Sequence, residues 1–334
     1  QNTSSYRCVP LDENEIEQEE LRIQRIGDIE AILSCAGLLH DLGNPPFGHV
    51  GEEIIREWFK ENLKNIYLSD DNKKSVADLL NKNQITDLEN FEGNAQAFRI
   101  LAKARHQSEI NLPLIKYPTR SNEIGKEHIR HKLGCYQSEE RVFIRCAKEV
   151  GTINSDGNVV RHPLAYLVEA ADDIAYMTAD LEDAVKAGVV SVEELIAFFK
   201  EEYKQLSKKY AEQKQHLKRT EEIINKLCSI NCDEKDKTKV MSRWGNYLRR
   251  WLMYVACWRF SKSYNEILEG TYKYDLFYDN NHSLTVKLLR KAMSEFVFDS
   301  RMITEPELSA QTMLSFLLDK FVPAVVKFDG YGKM

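Results

Sequence analysis

Residues 38–52 read Leu-Leu-His-Asp-Leu-Gly-Asn-Pro-Pro-Phe-Gly-His-Val-Gly-Glu. His40 and Asp41 stand side by side at the end of an apolar run. An imidazole beside a carboxylate suits a divalent ion such as Mn²⁺, Fe²⁺, Co²⁺ or Ni²⁺, and carboxylate with water also suits Mg²⁺. Neighbouring positions on a helix point about 100° apart. One ion near the helix end therefore collects both only if other elements complete its shell. A His-Asp pair alone is a common cap or surface pair. Here Gly43-Asn44-Pro45-Pro46 follows at once, and two prolines cannot continue the helix. That break keeps the chain beside the pair and presents a second imidazole, His49, and a carboxylate, Glu52.

A second block, residues 166–184, carries Asp172, Tyr176 and Asp180 at i, i+4 and i+8. That spacing puts all three on one face of a helix. Acidic side chains within an apolar helix are costly unless solvated, paired or metal-bound. A partly exposed face with capping or salt-bridge roles is the plain alternative.

The elements that must position these residues are helices. Only 15 glycines and 8 prolines punctuate the 334 residues, and apolar positions recur at helical spacing. The pattern predicts helices over 20–42, 47–63, 91–106, 163–181, 191–227 and 242–269, with more to residue 318 or beyond. Pro163 suits a first helical turn. Residues 65–90 read as a variable, charged stretch, and Asn154-Ser155-Asp156-Gly157 as a turn that allows one small hairpin. Trp244, Tyr247, Leu248, Trp251, Leu252, Val255, Trp258 and Phe260 form an aromatic stripe expected to face the core. The expected fold is all-α. Residues 1–190 are expected to form the catalytic core and 191–334 a helical part packed on it, in one continuous domain.

Hydrophobic residues make up 43% and charged residues 29%, as in an ordinary globular protein. The net charge of −6 gives no overall basic field for sequence-independent DNA binding. No stretch is long and apolar enough to cross a bilayer, and the first twenty residues are polar and acidic, unlike a secretory signal. Seven scattered cysteines, with no Cys-x-x-Cys pair, fit free thiols in a reducing cytoplasm.

The blocks together resemble a known family. His40-Asp41 with a distant Asp172 resembles the metal core of the HD phosphohydrolase superfamily. The strings at 40–52, FEGNAQAFRIL (91–101), KYP (116–118), KLGCYQSEE (132–140) and YLVEAADDIAY (166–176) are similar, in order, to bacterial dGTPases of the dNTP triphosphohydrolase family. FSKSYNEILEG (260–270) is a weaker match. The resemblance covers roughly residues 30–190 and implies the HD-domain helical fold.

It also implies roles. His40, Asp41 and Asp172 match three of four metal ligands, with Mg²⁺ or Mn²⁺ expected. The fourth is a histidine on an earlier helix, and no histidine precedes His40. The chain is therefore expected to be truncated at its N-terminus, and a C-terminal segment that supplies further site residues is also not seen. His49 matches the histidine beside the α-phosphate, where Glu52 would orient it. Lys116, Tyr117 and Lys132 match phosphate-contacting positions, and Asn94 a polar residue of the site wall; Arg99 is a candidate only by proximity. Tyr176 matches a ring against the deoxyribose, and Asp180 an acceptor for the sugar 3′-hydroxyl.

The implied reaction is hydrolysis of a dNTP to deoxynucleoside and tripolyphosphate, in control of cytoplasmic dNTP pools. The implied partners are dGTP or another dNTP, further copies of the chain, and single-stranded DNA or a nucleotide as regulator. The competing readings are an HD phosphohydrolase for another nucleotide and a degenerate nucleotide-sensing or nucleic-acid-binding homologue.

Overall fold

The computed structural model describes residues 13–67, 74–104, 115–125, 132–278, 283–298 and 301–331. His106, His128, His131 and His282 lie outside the described residues. Regular structure among the described residues is helical, apart from two isolated bridges, Tyr67–Ser75 and Ile153–Val159. The fold is therefore all-α, as expected.

In chain order the helices are α1 (Glu13–Leu39), α2 (Gly48–Asn62), α3 (Val76–Leu79), α4 (Lys82–Glu89), α5 (Gly93–Lys103) and α6 (Glu140–Glu149). Then follow α7 (Pro163–Lys186), α8 (Val192–Lys209), α9 (Lys214–Asp233), α10 (Lys237–Lys262), α11 (Tyr264–Leu268), α12 (Ser283–Met293) and α13 (Arg301–Tyr331).

Helix α7 is the axis of the molecule. Pro163 occupies its first turn, and His162 caps it by accepting a hydrogen bond from the Leu164 amide. Its buried residues include Ala170, Ile174, Met177 and Leu181. They pack with Leu195 and Phe199 of α8, Ile223 and Leu227 of α9, Trp244, Leu248, Leu252 and Val255 of α10, and Leu288 and Leu289 of α12. This is the largest apolar cluster, and it fixes the bearing of α7. The aromatic stripe of α10 is only half a core stripe. Trp244 is buried and its Nε1 donates to the Ile223 carbonyl, whereas Tyr247 and Trp258 sit at the exposed margin. On a 26-residue helix the strict core arc is filled by positions 244, 248, 252 and 255. Positions 247 and 258 fall to its side.

Three other expectations change in detail. The 65–90 stretch holds two short helices, each started by a capping box, Ser75 with Asp78 and Asn81 with Gln84. The 191–227 helix is divided into α8 and α9 by residues 210–213. The turn at Asn154–Gly157 forms, with Gly157 at φ 79°, but pairs through one bridge and no longer hairpin.

Candidate metal centre and active site

Two supports bring the ends of the sequence blocks together. Ala36, at the last turns of α1, packs with Leu101 of α5 and Val168 of α7, flanked by Leu33 and Leu39. That contact ends α1 beside the middle of α7, which carries Asp172. The second support is the strap 115–121 paired with 132–137. The Gly134 amide donates to the Thr119 carbonyl at 2.9 Å, and a side chain at Gly134 would collide with the Tyr117 carbonyl. The strap places Lys116, Tyr117 and Lys132 on one wall.

At the first corner, His40 Nδ1 donates to the Gly37 carbonyl at 2.7 Å. The neutral ring then carries its lone pair on Nε2. Nε2 lies 3.2 Å from Asp41 Oδ2 and 3.3 Å from Asp172 Oδ1. A lone pair facing two carboxylate oxygens is repulsive unless a proton or a cation lies among them. The hydrogen bond to Asp172 lifts the His40 pKa above its ordinary value, against the opposing effect of burial. Burial alone would raise the pKa of Asp172. His40 and Lys116, whose Nζ donates to Asp172 Oδ2, outweigh it and hold this carboxyl well below the usual range.

The donor set suits a divalent ion. Adjacent ligand atoms of an octahedral ion with bonds of about 2.0–2.1 Å are about 3 Å apart, close to the spacings around Nε2. Among the described residues, no three His, Cys, Asp or Glu side chains are spread around a cation-sized gap. His40 touches both carboxylates instead. Asn44 Nδ2 donates to Asp41 Oδ1 at 2.8 Å and steadies it from outside.

The second corner is only one turn away. His49 Nδ1 lies 3.1 Å from Glu52 Oε2. Glu52 is buried, and its Oε1 accepts from the Gly93 amide at 2.7 Å. Burial opposes the charge on Glu52, but these two hydrogen bonds prevail and its pKa falls. The His49 pKa rises, chiefly through the Glu52 hydrogen bond. The ring itself is 81% exposed. The two corners touch through Gly93, where an added Cβ would lie 2.3 Å from Asn44 Oδ1 and 2.8 Å from Glu52 Oε1. Gly43 meets the Gly93 carbonyl just as closely. Only glycine lets the 43–46 turn dock on the start of α5.

Between the corners and the strap sits a residue that sequence reasoning passed over. Glu92 is buried, yet receives Lys132 Nζ at 3.2 Å, Asn94 Nδ2 at 3.1 Å and Arg56 at 3.6 Å. Its signal was present as the acid within Phe-Glu-Gly-Asn, but nothing in one sequence says that this acid faces inward. Lys132 also lies 5.9 Å from the Tyr117 ring centre. The two lysines thus rest on carboxylates, Lys116 on Asp172 and Lys132 on Glu92. Burial, the leading effect, pushes the Tyr117 pKa up. Tyr176 lies one turn beyond Asp172, half-buried, and Asp173 between them accepts a hydrogen bond from Arg290 of α12 at 3.0 Å. Asp180 is one turn further. Among the described residues it has no hydrogen-bond or ion-pair partner, and burial followed by Asp183 and Asp172 raises its pKa. Arg99 faces away, toward Ser138 and Glu139.

The HD-domain family model matches residues 20–116, the stretch that holds His40, Asp41, His49 and Glu52. A deoxyguanosinetriphosphate triphosphohydrolase-like protein of Listeria monocytogenes is 35% identical over 314 residues, covering 90% of this chain and 63% of that protein. The chain thus carries an HD-domain match and is similar, along about nine tenths of its length, to dGTP triphosphohydrolase-like proteins. A deoxyguanosinetriphosphate triphosphohydrolase of an Enterobacter species is 31% identical, covering 89% of this chain and 62% of that protein. A probable one of Pseudomonas aeruginosa is 36% identical over 181 residues, 51% of this chain and 35% of that protein. The chain therefore spans less than two thirds of the length of these relatives. No helix among its described residues is long and apolar enough to cross a membrane.

Proposed function

We propose that this chain forms the catalytic core of a metal-dependent triphosphohydrolase. It would cleave dGTP, and other dNTPs if the base pocket allows, to deoxynucleoside and tripolyphosphate. One observation carries the reading: His40 Nε2 faces Asp41 and Asp172 at cation-ligand spacing, and Asn44 and Gly93 tie that corner to the His49–Glu52 pair.

His40, Asp41 and Asp172 would hold the divalent ion, with Mg²⁺ or Mn²⁺ expected and Fe²⁺, Co²⁺ or Ni²⁺ compatible. The ion supplies charge screening and a water of lowered pKa. His49, with its raised pKa and open ring, gives a proton to the departing 5′-oxygen, while Glu52 holds its Nδ1 side. Lys116 and Lys132 exchange part of their carboxylate contact for phosphate oxygens, so the wall carries charge to match the substrate. Tyr117 and Asn94 complete that wall. Tyr176 and Asp180 lie along the same helix, where the sugar would rest, and Asp180, with no hydrogen-bond or ion-pair partner among the described residues, offers an acceptor to the 3′-hydroxyl.

The reading carries with it a cytoplasmic role in setting dNTP pools, a homo-oligomer, and single-stranded DNA or a nucleotide as regulator. Met313, Phe316, Phe321, Val325 and Phe328 of α13 are each more than half exposed, which supports a subunit contact there.

The test is product analysis. Purified protein with Mn²⁺ or Mg²⁺ is offered dGTP, and phosphorus NMR follows the products. Tripolyphosphate and deoxyguanosine are expected. Release of orthophosphate or pyrophosphate alone would replace this reaction with another phosphohydrolase activity.

A further inference from the structure

Glu92 stands at the N-cap of α5, yet its side chain caps no amide there. A side-chain oxygen at that position usually accepts from the first-turn amides. Here the Gly93 amide goes to Glu52 Oε1 at 2.7 Å instead. The backbone of Glu92 is held without its side chain. Its amide lies 3.4 Å from the Tyr136 hydroxyl, and its carbonyl accepts from that hydroxyl at 3.2 Å and from the Gln96 amide at 3.0 Å. The start of the helix therefore does not need the carboxylate, although the side chain is only 1% exposed.

The carboxylate turns to the site wall. Its Oε1 accepts from Lys132 Nζ at 3.2 Å and from Asn94 Nδ2 at 3.1 Å. Its Oε2 lies 3.6 Å from Arg56 Nη1, which donates to the Phe91 carbonyl. A buried carboxylate is tolerated only when paired and hydrogen-bonded. Arg56 meets that need on the α2 side and leaves Oε1 to the wall. One oxygen thus holds two residues from different elements, Asn94 of α5 and Lys132 of the strap. A lysine ammonium is a point charge on a flexible stem, so its place is set by what it rests on.

We infer that Glu92 is a positioning residue that fixes Lys132 and Asn94 in the wall and thereby sets how tightly the site holds a polyphosphate chain. The inference rests on the reading of Lys132 and Asn94 in the proposed function. Charge and position act in opposite directions here. A negative charge behind the wall repels a polyphosphate, so by charge alone its removal tightens binding. By position, its removal lets the ammonium wander, and ordering it again on binding weakens affinity.

The experiment titrates metal-loaded protein with tripolyphosphate in excess Mg²⁺, by calorimetry. Wild type is compared with Glu92→Gln, which keeps the shape and removes the charge, and Glu92→Asp, which keeps the charge and shortens the reach. Far-ultraviolet circular dichroism and bound metal check that each is intact, and Glu92→Asp carries the test if the glutamine variant does not fold. Both variants should bind tripolyphosphate about fivefold or more weakly. Added to Lys132→Gln, the Glu92→Gln change should cost clearly less than it does alone, because the ammonium it holds is gone. Unchanged or tighter binding in a folded variant overturns the inference, and so does a full independent loss in the double variant. If wild type binds no tripolyphosphate, the reading of the wall itself falls and the inference with it. If wild type binds it but does not release it from dGTP, the proposed reaction fails while the role of Glu92 stands.

Discussion

Two imidazoles, nine positions apart, are built into the same site in opposite ways. His40 is held at both nitrogens, by the Gly37 carbonyl and by two carboxylates, and its side chain is 21% exposed. His49 is held at one nitrogen, by Glu52, and is 81% exposed. In both, a carboxylate raises the pKa. The difference lies in what is left free. His40 has no freedom to turn and offers one lone pair to a fixed point, as a ligand must. His49 keeps one nitrogen open to solvent and to substrate, as a proton donor must. Residue type alone would make the two equivalent, and second contacts separate them.

The sharpest break of this comparison is at the ligand corner. Asp41→Ala and Asp172→Ala are each expected to abolish metal binding and lower activity by about a thousandfold or more. Metal content by atomic emission should fall with turnover. Full metal stoichiometry in both variants would remove the ligand assignment. Asp172→Ala should also free Lys116, making it the more disruptive of the two.

The next effect belongs to His49. His49→Gln is expected to lower kcat by about 10²–10⁴-fold with metal content unchanged. Because Glu52 raises the His49 pKa, the protonated ring survives to higher pH than an ordinary imidazole, and activity falls as pH climbs through the raised value. In Glu52→Gln the alkaline limb of the kcat/KM profile should move to lower pH. A limb that stays in place would mean that His49 is not the group observed.

The smallest effect contrasts both with a third imidazole. His162 caps α7 with a ring nitrogen that must stay unprotonated, and burial lowers its pKa to about 4. The unfolded ring takes a proton near pH 6.5 and the folded ring resists to about 4. Stability from this group is therefore whole above about pH 6.5 and is lost as pH falls toward 4, by on the order of 2–3 kcal/mol. His162→Asn, which keeps a capping acceptor, should flatten that part of the stability curve in urea melts between pH 4 and 7. An equally steep loss in the variant would assign the acid sensitivity elsewhere.

The start of helix α7 was legible to the residue, because Pro163 marks it, whereas the helix runs to Lys186, past the expected end at residue 181. His40, Asp41 and Asp172 stood out by type and by likeness to known blocks. Glu92 and Arg290 did not stand out. Each is a common surface residue by composition, and only burial or a partner far along the chain gives it meaning. Gly93 was seen within a block but not as a necessity. Its reason is that Asn44 Oδ1 would lie 2.3 Å from any Cβ placed there, which no local pattern encodes.

By itself the sequence determined the helical fold, the break after His40 and the stock of ligating and proton-transferring groups. These follow from periodicity, proline and side-chain chemistry, which are local properties. Tertiary structure alone decided that Ala36, Leu101 and Val168 would pack together. That contact places carboxylates 131 positions apart, Asp41 and Asp172, against one imidazole. It also decided which carboxylates take up the lysines. Such pairings depend on long-range packing between helices, and helix packing is set by the shape of whole surfaces and not by any single segment.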